Sequence, residues 1–482
     1  MSDNRHFDQL VAKGNPVGEI IAVNRFLVRI KGLNPSNVHA LVMFEDGSKG
    51  FIHQVQADHV IVLCLSATSL SVGMTAVLQH TELVTKVGKD FIGRVVSVTG
   101  DPLDGKGPVA VDAVRPVFAD APPLYGRELL DKQLETGITV VDALFPIARG
   151  QRMAILGDNK SGKTTMATQM AMFQQNEELV VIYVLIAKRR SDVDQLLERL
   201  ESSGAIKHTI VVVATMLESL VMNYLAPYVG CAIGEYLWQQ CDQDVFIIYD
   251  DLTSHAHVYR EIALLSGSSP GRESYPGDMF YAHASLLERA GKLAQNHKTQ
   301  SVLALVLTPG GDITAYLPTN IMSITDGQWI MDMEVFRDSY RPALSIGLSV
   351  TRVGGRGHND RQKAQAARLQ LLLASFTQAR QYSHFGTELA VEAQDSLNFG
   401  QQLYKLFNQK PSEAFPVLSQ QLMLDVLLSL NKGDLLDVDA LKLAVNDSAK
   451  SVQNDADFDR ASAELKAKVV IHKTAEKRSE NP

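Results

Sequence analysis

The chain has 482 residues, more than one hydrophobic core can serve, so roughly two to four domains are expected. Its net charge of −8 argues against a protein built to coat nucleic acid or an anionic membrane. The three cysteines show no metal-ligand spacing, and no apolar run approaches the ~20 residues of a membrane helix. Any contact with a membrane is therefore expected to come through partners.

Short β-rich runs separated by turn residues fill about the first 80 positions. Strands this short and this closely spaced predict a small barrel or a sandwich. The runs are GEIIAVNRFLVRIKG (18–32), HALVMF (39–44), GFIHQV (50–55) and HVIVLCL (59–65).

From about residue 93, strands alternate with segments of helical length. Several are continuous apolar runs, typical of parallel strands buried on both faces, and the alternation predicts a doubly wound α/β domain. Over 94–108 a strand is expected to run into a Gly/Pro turn. Further strands are expected at 152–157, 180–187, 209–215, 245–251, 301–308 and, as the last one, 343–353. After residue 360 long Ala-, Leu- and Gln-rich segments predict helices to about residue 470.

The segment GDNKSGKT (157–164) matches the phosphate-loop pattern G-x-x-x-x-G-K-[ST]. It follows the apolar strand MAILG and precedes a helical segment, the setting in which backbone N–H groups and a helix start face an anion. Lys163 is expected to reach the β- and γ-phosphates, and Thr164 to offer its hydroxyl to Mg²⁺. The expected nucleotide contacts are Gly157, Asp158, Asn159, Lys160, Ser161, Gly162, Lys163, Thr164 and Thr165.

The second half of such a site is an apolar strand that ends in an acid, here FIIYDD (246–251). Asp250 is the expected partner of Mg²⁺, with Asp251 at the strand end. ATP hydrolysis also needs a residue that orients water, usually a carboxylate or Gln. The strand after the loop helix ends instead in Lys188, Arg189 and Arg190, and a protonated lysine is a poor base. The residues thus predict a nucleotide site without its own base.

Many long segments in the same order resemble the α subunits of F-type ATP synthases. They include TGITVVDALFPIARGQR (136–152), IIYDDLTSHAHVYRE (247–261), PGRESYPGDMFYAHASLLERAGKL (270–293), AYLPTNIMSITDGQ (315–328), FRDSYRPALSIGLSVTRVGG (336–355) and HFGTEL (384–389). The resemblance implies a β-barrel domain (1–82), a RecA-like P-loop nucleotide-binding domain (83–358) and a C-terminal α-helical domain (359–482).

In that family three α and three β subunits alternate around a rotating stalk, and β turns over ATP. The resemblance implies a regulatory subunit that holds ATP or ADP with Mg²⁺ and does not catalyse by itself. Its implied partners are the β subunit, the central stalk γ and ε, and the δ or peripheral stalk. The implied location is peripheral, on the cytoplasmic face of a bacterial inner membrane, contacting the membrane only through the sector that moves H⁺ or Na⁺.

The resemblance also assigns residues outside the loop. Arg352 matches the arginine that reaches the γ-phosphate on the neighbouring β subunit, as an arginine finger does. Phe336, Arg341, Pro342 and Gln409 match positions near the adenine base, whereas a second glutamine position falls on Pro411.

The chain departs from the family at several points, and Lys188 is the most consequential. It stands where the catalytic glutamate or the α-subunit glutamine is usual, so it preserves the lack of a base and adds positive charge. Most of an extra N-terminal helix, with which α subunits usually contact the peripheral stalk, is expected to be missing. GSSPGRE (267–273) replaces the family's basic RRPPGRE-like run, and PALSIGLSVT (342–351) lacks the usual Asn and final Ser. Pro309 in TPGGD (308–312) stands where Gln is usual. These point to a divergent branch with altered stalk attachment.

Two alternative functions make other demands on the sequence. A catalytic homohexameric ring ATPase of the flagellar or type III secretion type needs a carboxylate where Lys188 stands. An RNA-translocating hexamer needs a basic, aromatic face that the acidic composition does not supply.

Overall fold

A computed structural model describes residues 2–66, 69–174, 179–384, 391–431 and 433–471. The family segment at 385–389 and the C-terminal residues 472–482 lie outside these ranges. The described chain forms two compact units, each of which is treated by itself. Unit 1 comprises Met1–Leu129, Arg149–Asn159 and Gln174–Gln328, and unit 2 comprises Leu130–Ala148, Lys160–Phe173 and Trp329–Pro482. The predicted domain boundaries after residues 82 and 358 stay predictions.

The strands of the described chain are, in order, β1 Val17–Asn24, β2 Leu27–Lys31, β3 Leu41–Phe44, β4 Lys49–Val55, β5 Val60–Cys64, β6 Thr75–His80, β7 Val84–Val87, β8 Val95–Ser97, β9 Ala113–Pro116, β10 Gln133–Leu134, β11 Ile147–Ala148, β12 Arg152–Gly157, β13 Leu179–Lys188, β14 Thr209–Thr215, β15 Asp244–Asp250, β16 Gly291–Lys292, β17 Thr299–Leu307, β18 Gly327–Ile330, β19 Val350–Thr351, β20 Leu435–Leu436 and β21 Val470–Ile471.

The helices are α1 Ser2–Ala12, α2 Thr139–Leu144, α3 Lys163–Phe173, α4 Arg190–Ser203, α5 Leu220–Gln240, α6 Leu252–Leu265, α7 Met279–Leu287, α8 Tyr316–Ile324, α9 Met333–Arg337, α10 Asp360–His384, α11 Val391–Phe407, α12 Val417–Leu428, α13 Val438–Ala449 and α14 Asp455–Val469.

In unit 1 the first strands close into a barrel in the order β1-β2-β5-β4-β3-β6. Of the two predicted alternatives, the barrel is confirmed and the sandwich is excluded. Inward-facing side chains such as Val28, Val42 and Phe44 are fully buried and form its core. Helix α1, which the sequence patterns did not predict, packs Phe7 and Leu10 against the barrel strands β3 and β6.

The second part of unit 1 is a parallel sheet in the order β12-β17-β15-β13-β14-β8, with β16 antiparallel to β17. Its strands lie where the apolar runs predicted them, and β13, β15 and β17 are almost wholly buried. Helix α5 packs across β13, β14 and β15. All these parallel strands end at one edge, where ligands bind in open α/β sheets.

Unit 2 contains the predicted C-terminal helices, in which α10 packs on α11 and α12, and α12 packs on α13 and α14. It also contains α2, α3 and α9. The short ladder of β20 with β21 was not expected, because two-residue strands leave no periodic signal.

The expectation of a strand over 343–353 is wrong. Only Val350–Thr351 forms a strand, and residues 346–348 form a turn in which Leu348 is 51% exposed. The apolar alternation of ALSIGLSV imitates a strand, but Gly347 falls in the turn and the Ser349 hydroxyl accepts the Ile330 N–H at 3.0 Å. The segment is therefore held by side-chain hydrogen bonding rather than by a sheet ladder.

Candidate nucleotide-binding site

The phosphate-loop motif forms the turn between β12 and α3. Gly157 ends the strand and Lys163 begins the helix. Lys160 and Gly162 have φ angles of 60° and 101°, so the loop passes twice through the left-handed region. A lysine in that region is strained, and such strain collects at functional sites. The Gly162 carbonyl accepts the Met166 N–H at 2.9 Å, so a helix start lies directly behind the loop.

The first residues of the loop belong to unit 1 and are held by the segment that follows β17. The Thr308 N–H donates to the Gly157 carbonyl at 3.0 Å. The Asp158 carboxylate accepts the N–H of Asn159 at 2.6 Å and that of Gly310 at 3.0 Å. Pro309, which departs from the family pattern, thus lies in the segment that fixes the start of the loop.

Two buried hydroxyls next to the loop have no hydrogen-bond partner within the described chain. They are Ser161 Oγ, in the loop itself, and Thr308 Oγ1, each on a residue only 1% exposed. Leaving such a group unpaired costs about 1–3 kcal/mol. An anionic ligand that accepted either hydrogen bond would remove that cost, so each hydroxyl fits a phosphate-binding role.

The acid strand places both of its carboxylates at the end of the sheet. Asp250 is the last residue of β15 and is 1% exposed, with its Oδ2 atom accepting the Tyr183 hydroxyl at 3.2 Å. Asp251 caps α6, because its Oδ1 atom accepts the Ser254 N–H at 2.7 Å. Asp251 therefore has a structural function besides its charge.

Lys188 points into these two carboxylates. Its Nζ atom lies 2.6 Å from Asp250 Oδ1 and 3.0 Å from Asp251 Oδ2. Burial alone would lower the pKa of the Lys188 ammonium, but the charges of Asp250 and Asp251 outweigh burial and raise that pKa above its usual range. The side chain is therefore protonated at neutral pH and cannot take a proton from water.

A β-bulge just before Lys188 sets its direction. Ile186 pairs with Ala214 and Lys188 with Thr215, so Ala187 is an extra residue, with a φ of 52°. Such bulges re-aim side chains next to functional sites. The Ala187 N–H, which the ladder does not use, donates to the Asn223 side chain at 2.7 Å.

Sequence reasoning missed Asn223 and Tyr183, the two residues that support this cluster. Asn223 is 2% exposed and also donates its amide to the backbone carbonyls of Thr215 and Ser219. Both residues are polar within long apolar segments, and that contrast is the signal that could have identified them.

The expected Mg²⁺ ligands fit the ion only in part. Thr164 lies in the first turn of α3, as expected for a hydroxyl ligand in this motif. Asp250, in contrast, has an ammonium on one oxygen and a phenol on the other. An oxygen that binds Mg²⁺ directly lies 2.0–2.1 Å from the ion in near-octahedral geometry, and the Lys188 ammonium, 2.6 Å from Asp250 Oδ1, opposes a second cation at that oxygen. As arranged, Asp250 does not fit a Mg²⁺ ligand.

Three of the four predicted adenine contacts form one group in unit 2. The Arg341 guanidinium stacks on the Phe336 ring at 3.5 Å and donates to the Phe336 carbonyl at 2.8 Å. Pro342 follows directly. A stacked pair of this kind offers a flat face, which suits a planar base.

The Gln409 side chain is buried and hydrogen-bonded to the backbone of unit 2. It is 2% exposed, and its amide accepts from Thr139 N–H at 2.6 Å and donates to the carbonyls of Gly137 and Glu413. Its backbone N–H donates to the Arg341 carbonyl at 2.7 Å. Gln409 thus supports Arg341 through the backbone, and its predicted contact with adenine stays untested.

Arg352 is exposed and follows β19 in unit 2. The chain is fixed on both sides of it, since Thr351 Oγ1 donates to the Pro146 carbonyl at 2.8 Å and Gly354 packs so closely on Pro146 that a Cβ atom could not fit. Arg352 lines an open cleft of about 620 Å³ together with Arg356 and Lys363. The arrangement presents positive charge outward on a rigid base.

Neither a membrane-spanning helix nor a metal-binding side-chain cluster occurs in the described part of the chain. No helix there is long and apolar enough to cross a membrane. No cluster of three or more His, Cys, Asp or Glu side chains suited to a metal ion occurs among the described residues.

Comparison with known proteins supports the same interpretation over most of the chain. Residues 137–351 match the family described as ATP synthase alpha/beta family, nucleotide-binding domain, and residues 360–479 match the ATP synthase alpha/beta chain, C terminal domain. The ATP synthase subunit alpha of Aquifex aeolicus is 40% identical over 85% of this chain and 82% of its own length. Proteins of the same name from Caldanaerobacter subterraneus subsp. tengcongensis and Neorickettsia sennetsu are 38% and 37% identical, over 87% and 91% of this chain and 83% and 88% of their own lengths.

Proposed function

The chain belongs to the ATP synthase alpha/beta family, and from that premise we propose that it is the non-catalytic, nucleotide-binding α subunit of an F-type ATP synthase. In this role it retains ATP or ADP on the loop 157–165 and takes part in turnover at a neighbouring subunit. The whole assembly couples ATP synthesis or hydrolysis to the transport of H⁺ or Na⁺.

The observation that carries this proposal is the ion pair of Lys188 with Asp250 and Asp251. Hydrolysis requires a group that orients water and accepts its proton. Here the corresponding strand end presents a protonated ammonium that is already engaged by two carboxylates. A nucleotide bound at this loop is therefore retained rather than hydrolysed.

The proposed contribution to catalysis is Arg352. It is exposed, positively charged and held on both sides by contacts to Pro146. A guanidinium presented in this way can stabilise the charge that develops on a transferring phosphoryl group bound to an adjacent β subunit. Phe336, Arg341 and Pro342 are proposed to receive the adenine of this chain's own nucleotide.

The proposed partners follow from the family. They are the β subunit, alternating with this chain in an α₃β₃ ring, and the γ, ε and δ or peripheral-stalk subunits. The proposed location is the cytoplasmic face of a bacterial inner membrane, with the ion-transporting sector making the membrane contact.

The divergent GSSPGRE segment contacts the barrel. Its Ser268 hydroxyl accepts a hydrogen bond from the Gln54 side-chain amide at 3.0 Å, so this segment has a local structural function.

The test compares phosphate release by the full-length chain alone and by the ring assembled with β and γ. The proposal predicts that the chain binds ATP but releases phosphate only when assembled. Sustained release by the chain alone would instead identify a self-sufficient ring ATPase of the flagellar or type III secretion type.

A further inference from the structure

The ammonium of Lys188 lies where the sequence pattern places a divalent cation. Asp250 is the acid that such sites use to hold Mg²⁺, and its Oδ1 atom is 2.6 Å from Lys188 Nζ. The side chain of Asp250 is 2% exposed, while those of Lys188 and Asp251 are each 18% exposed. One tethered positive charge thus neutralises a buried carboxylate that would otherwise need a free cation.

This position is built into the strand rather than reached by a mobile side chain. The bulge at Ala187 turns Lys188 toward β15, and Asn223 holds the bulge through the Ala187 N–H. On the acid side, Tyr183 donates to the second oxygen of Asp250. Asp251 is fixed by its capping bond to Ser254. Each member of the cluster is therefore oriented by a separate hydrogen bond.

We propose that the Lys188 ammonium takes the place of the divalent cation at Asp250, so that this chain binds nucleotide without requiring Mg²⁺. This inference rests on the proposed function, because it concerns the nucleotide that the loop would hold. Two cations on one carboxylate oxygen repel each other, whereas a lysine fixed by the fold is present whatever the Mg²⁺ concentration. The ligand class is a nucleoside triphosphate or diphosphate, with or without chelated metal.

The experiment measures the equilibrium affinity of the purified full-length chain for ATP, once with excess Mg²⁺ and once with excess EDTA. The wild-type chain is expected to bind ATP with the same affinity in both conditions. The Lys188→Gln variant is expected to bind at least about tenfold more weakly in EDTA than in Mg²⁺, since Asp250 then needs a cation again. Lys188→Arg, which keeps the charge, should behave as the wild type does.

A matched control is Lys86→Gln, which removes a surface ammonium paired with Asp101 and should leave both affinities unchanged. The wild-type comparison is decisive even if Lys188→Gln folds poorly. ATP binding by the wild type that is lost in EDTA would overturn this inference and leave the proposed function standing. Absence of ATP binding in both conditions would overturn the proposed function and this inference with it.

Discussion

The side-chain oxygen of Asn223 accepts the backbone N–H of Ala187 at 2.7 Å, and this hydrogen bond sets the direction of Lys188. Asn223 lies at the start of α5 and Ala187 in the bulge of β13. The helix that covers the sheet therefore also holds the strand end at which the Lys188 ammonium lies. The absence of a catalytic base at the end of β13 thus has two causes: residue 188 is a lysine, and the surrounding fold holds that lysine against Asp250 and Asp251.

Replacing Asn223 by Ala should free the bulge. The variant leaves the Ala187 N–H and the Thr215 carbonyl without their partner in the interior, a loss of about 1–3 kcal/mol. Hydrogen exchange of the peptide that contains Ala187 should become faster, and the denaturant midpoint should fall. Asn446→Ala, the same substitution at an exposed position of α13 in unit 2, is the control and should change neither. Unaltered exchange at Ala187 in Asn223→Ala would show that the hydrogen bond does not hold the bulge.

Arg352→Ala should slow hydrolysis by the assembled ring by roughly 10³–10⁵, the contribution of an arginine finger. Arg356→Ala is the matched control, because Arg356 lines the same cleft on the same segment. That control should retain most of the activity. Steady-state phosphate release measures both variants, and equal losses would mean that the cleft's general charge, not Arg352, is what matters.

Lys163→Ala should act differently from Arg352→Ala. Removing the loop ammonium weakens the hold on this chain's own nucleotide, so less ATP should remain on the chain after gel filtration. Hydrolysis by the assembled ring should remain largely intact, because the proposed function assigns turnover to the neighbouring subunit. If both variants lost activity to the same degree, the assignment of separate roles to the two residues would be wrong.

A buried histidine pair makes unit 1 sensitive to acid. His255 Nδ1 lies 3.1 Å from His283 Nε2, and His255 Nε2 lies 3.0 Å from the Tyr224 carbonyl. Burial lowers the pKa of His255 to about 4, and burial together with His255 lowers that of His283 well below its usual value. Because both imidazoles are neutral when folded, the unfolded chain binds more protons below pH 6.5.

These two histidines should therefore leave the free energy of unfolding unchanged above about pH 6.5. As the pH is lowered toward 4, that free energy should fall by about 1.4 kcal/mol per pH unit for each such histidine. His255→Gln keeps a donor for Tyr224 and an acceptor for His283 but does not titrate. Denaturant midpoints measured from pH 7 to 4 should fall less steeply for this variant. Parallel curves for variant and wild type would contradict the assignment.

The elements with a repeating pattern were the ones that the sequence could predict. Buried parallel strands such as β13 and β17 consist of continuous apolar residues, and the phosphate loop combines fixed spacing with a strand before it and a helix after it. The strand expected over 343–353 failed because alternation by itself cannot reveal that Gly347 turns and Ser349 bonds to Ile330. Helix α1 was missed since only Phe7 and Leu10 supply its apolar contact.

The chemistry at the strand ends was only partly predictable. That Lys188 is no base follows from its identity, but its ion pair with Asp250 depends on the bulge at Ala187, and a bulge adds one residue without any sequence marker. The position of the Gln409 side chain could not be predicted from the sequence either. Its hydrogen bonds to Gly137 and Thr139 join residues about 270 positions apart, and such contacts arise only in the folded chain.

The most direct test of the central claim follows the fate of ATP bound to this chain. The full-length chain is loaded with ATP, separated from free nucleotide, incubated and denatured, and the released nucleotide is identified by chromatography. Because Lys188 stands in place of a base, the account predicts that the nucleotide is recovered as ATP. Conversion of the bound ATP to ADP and phosphate within minutes would contradict it.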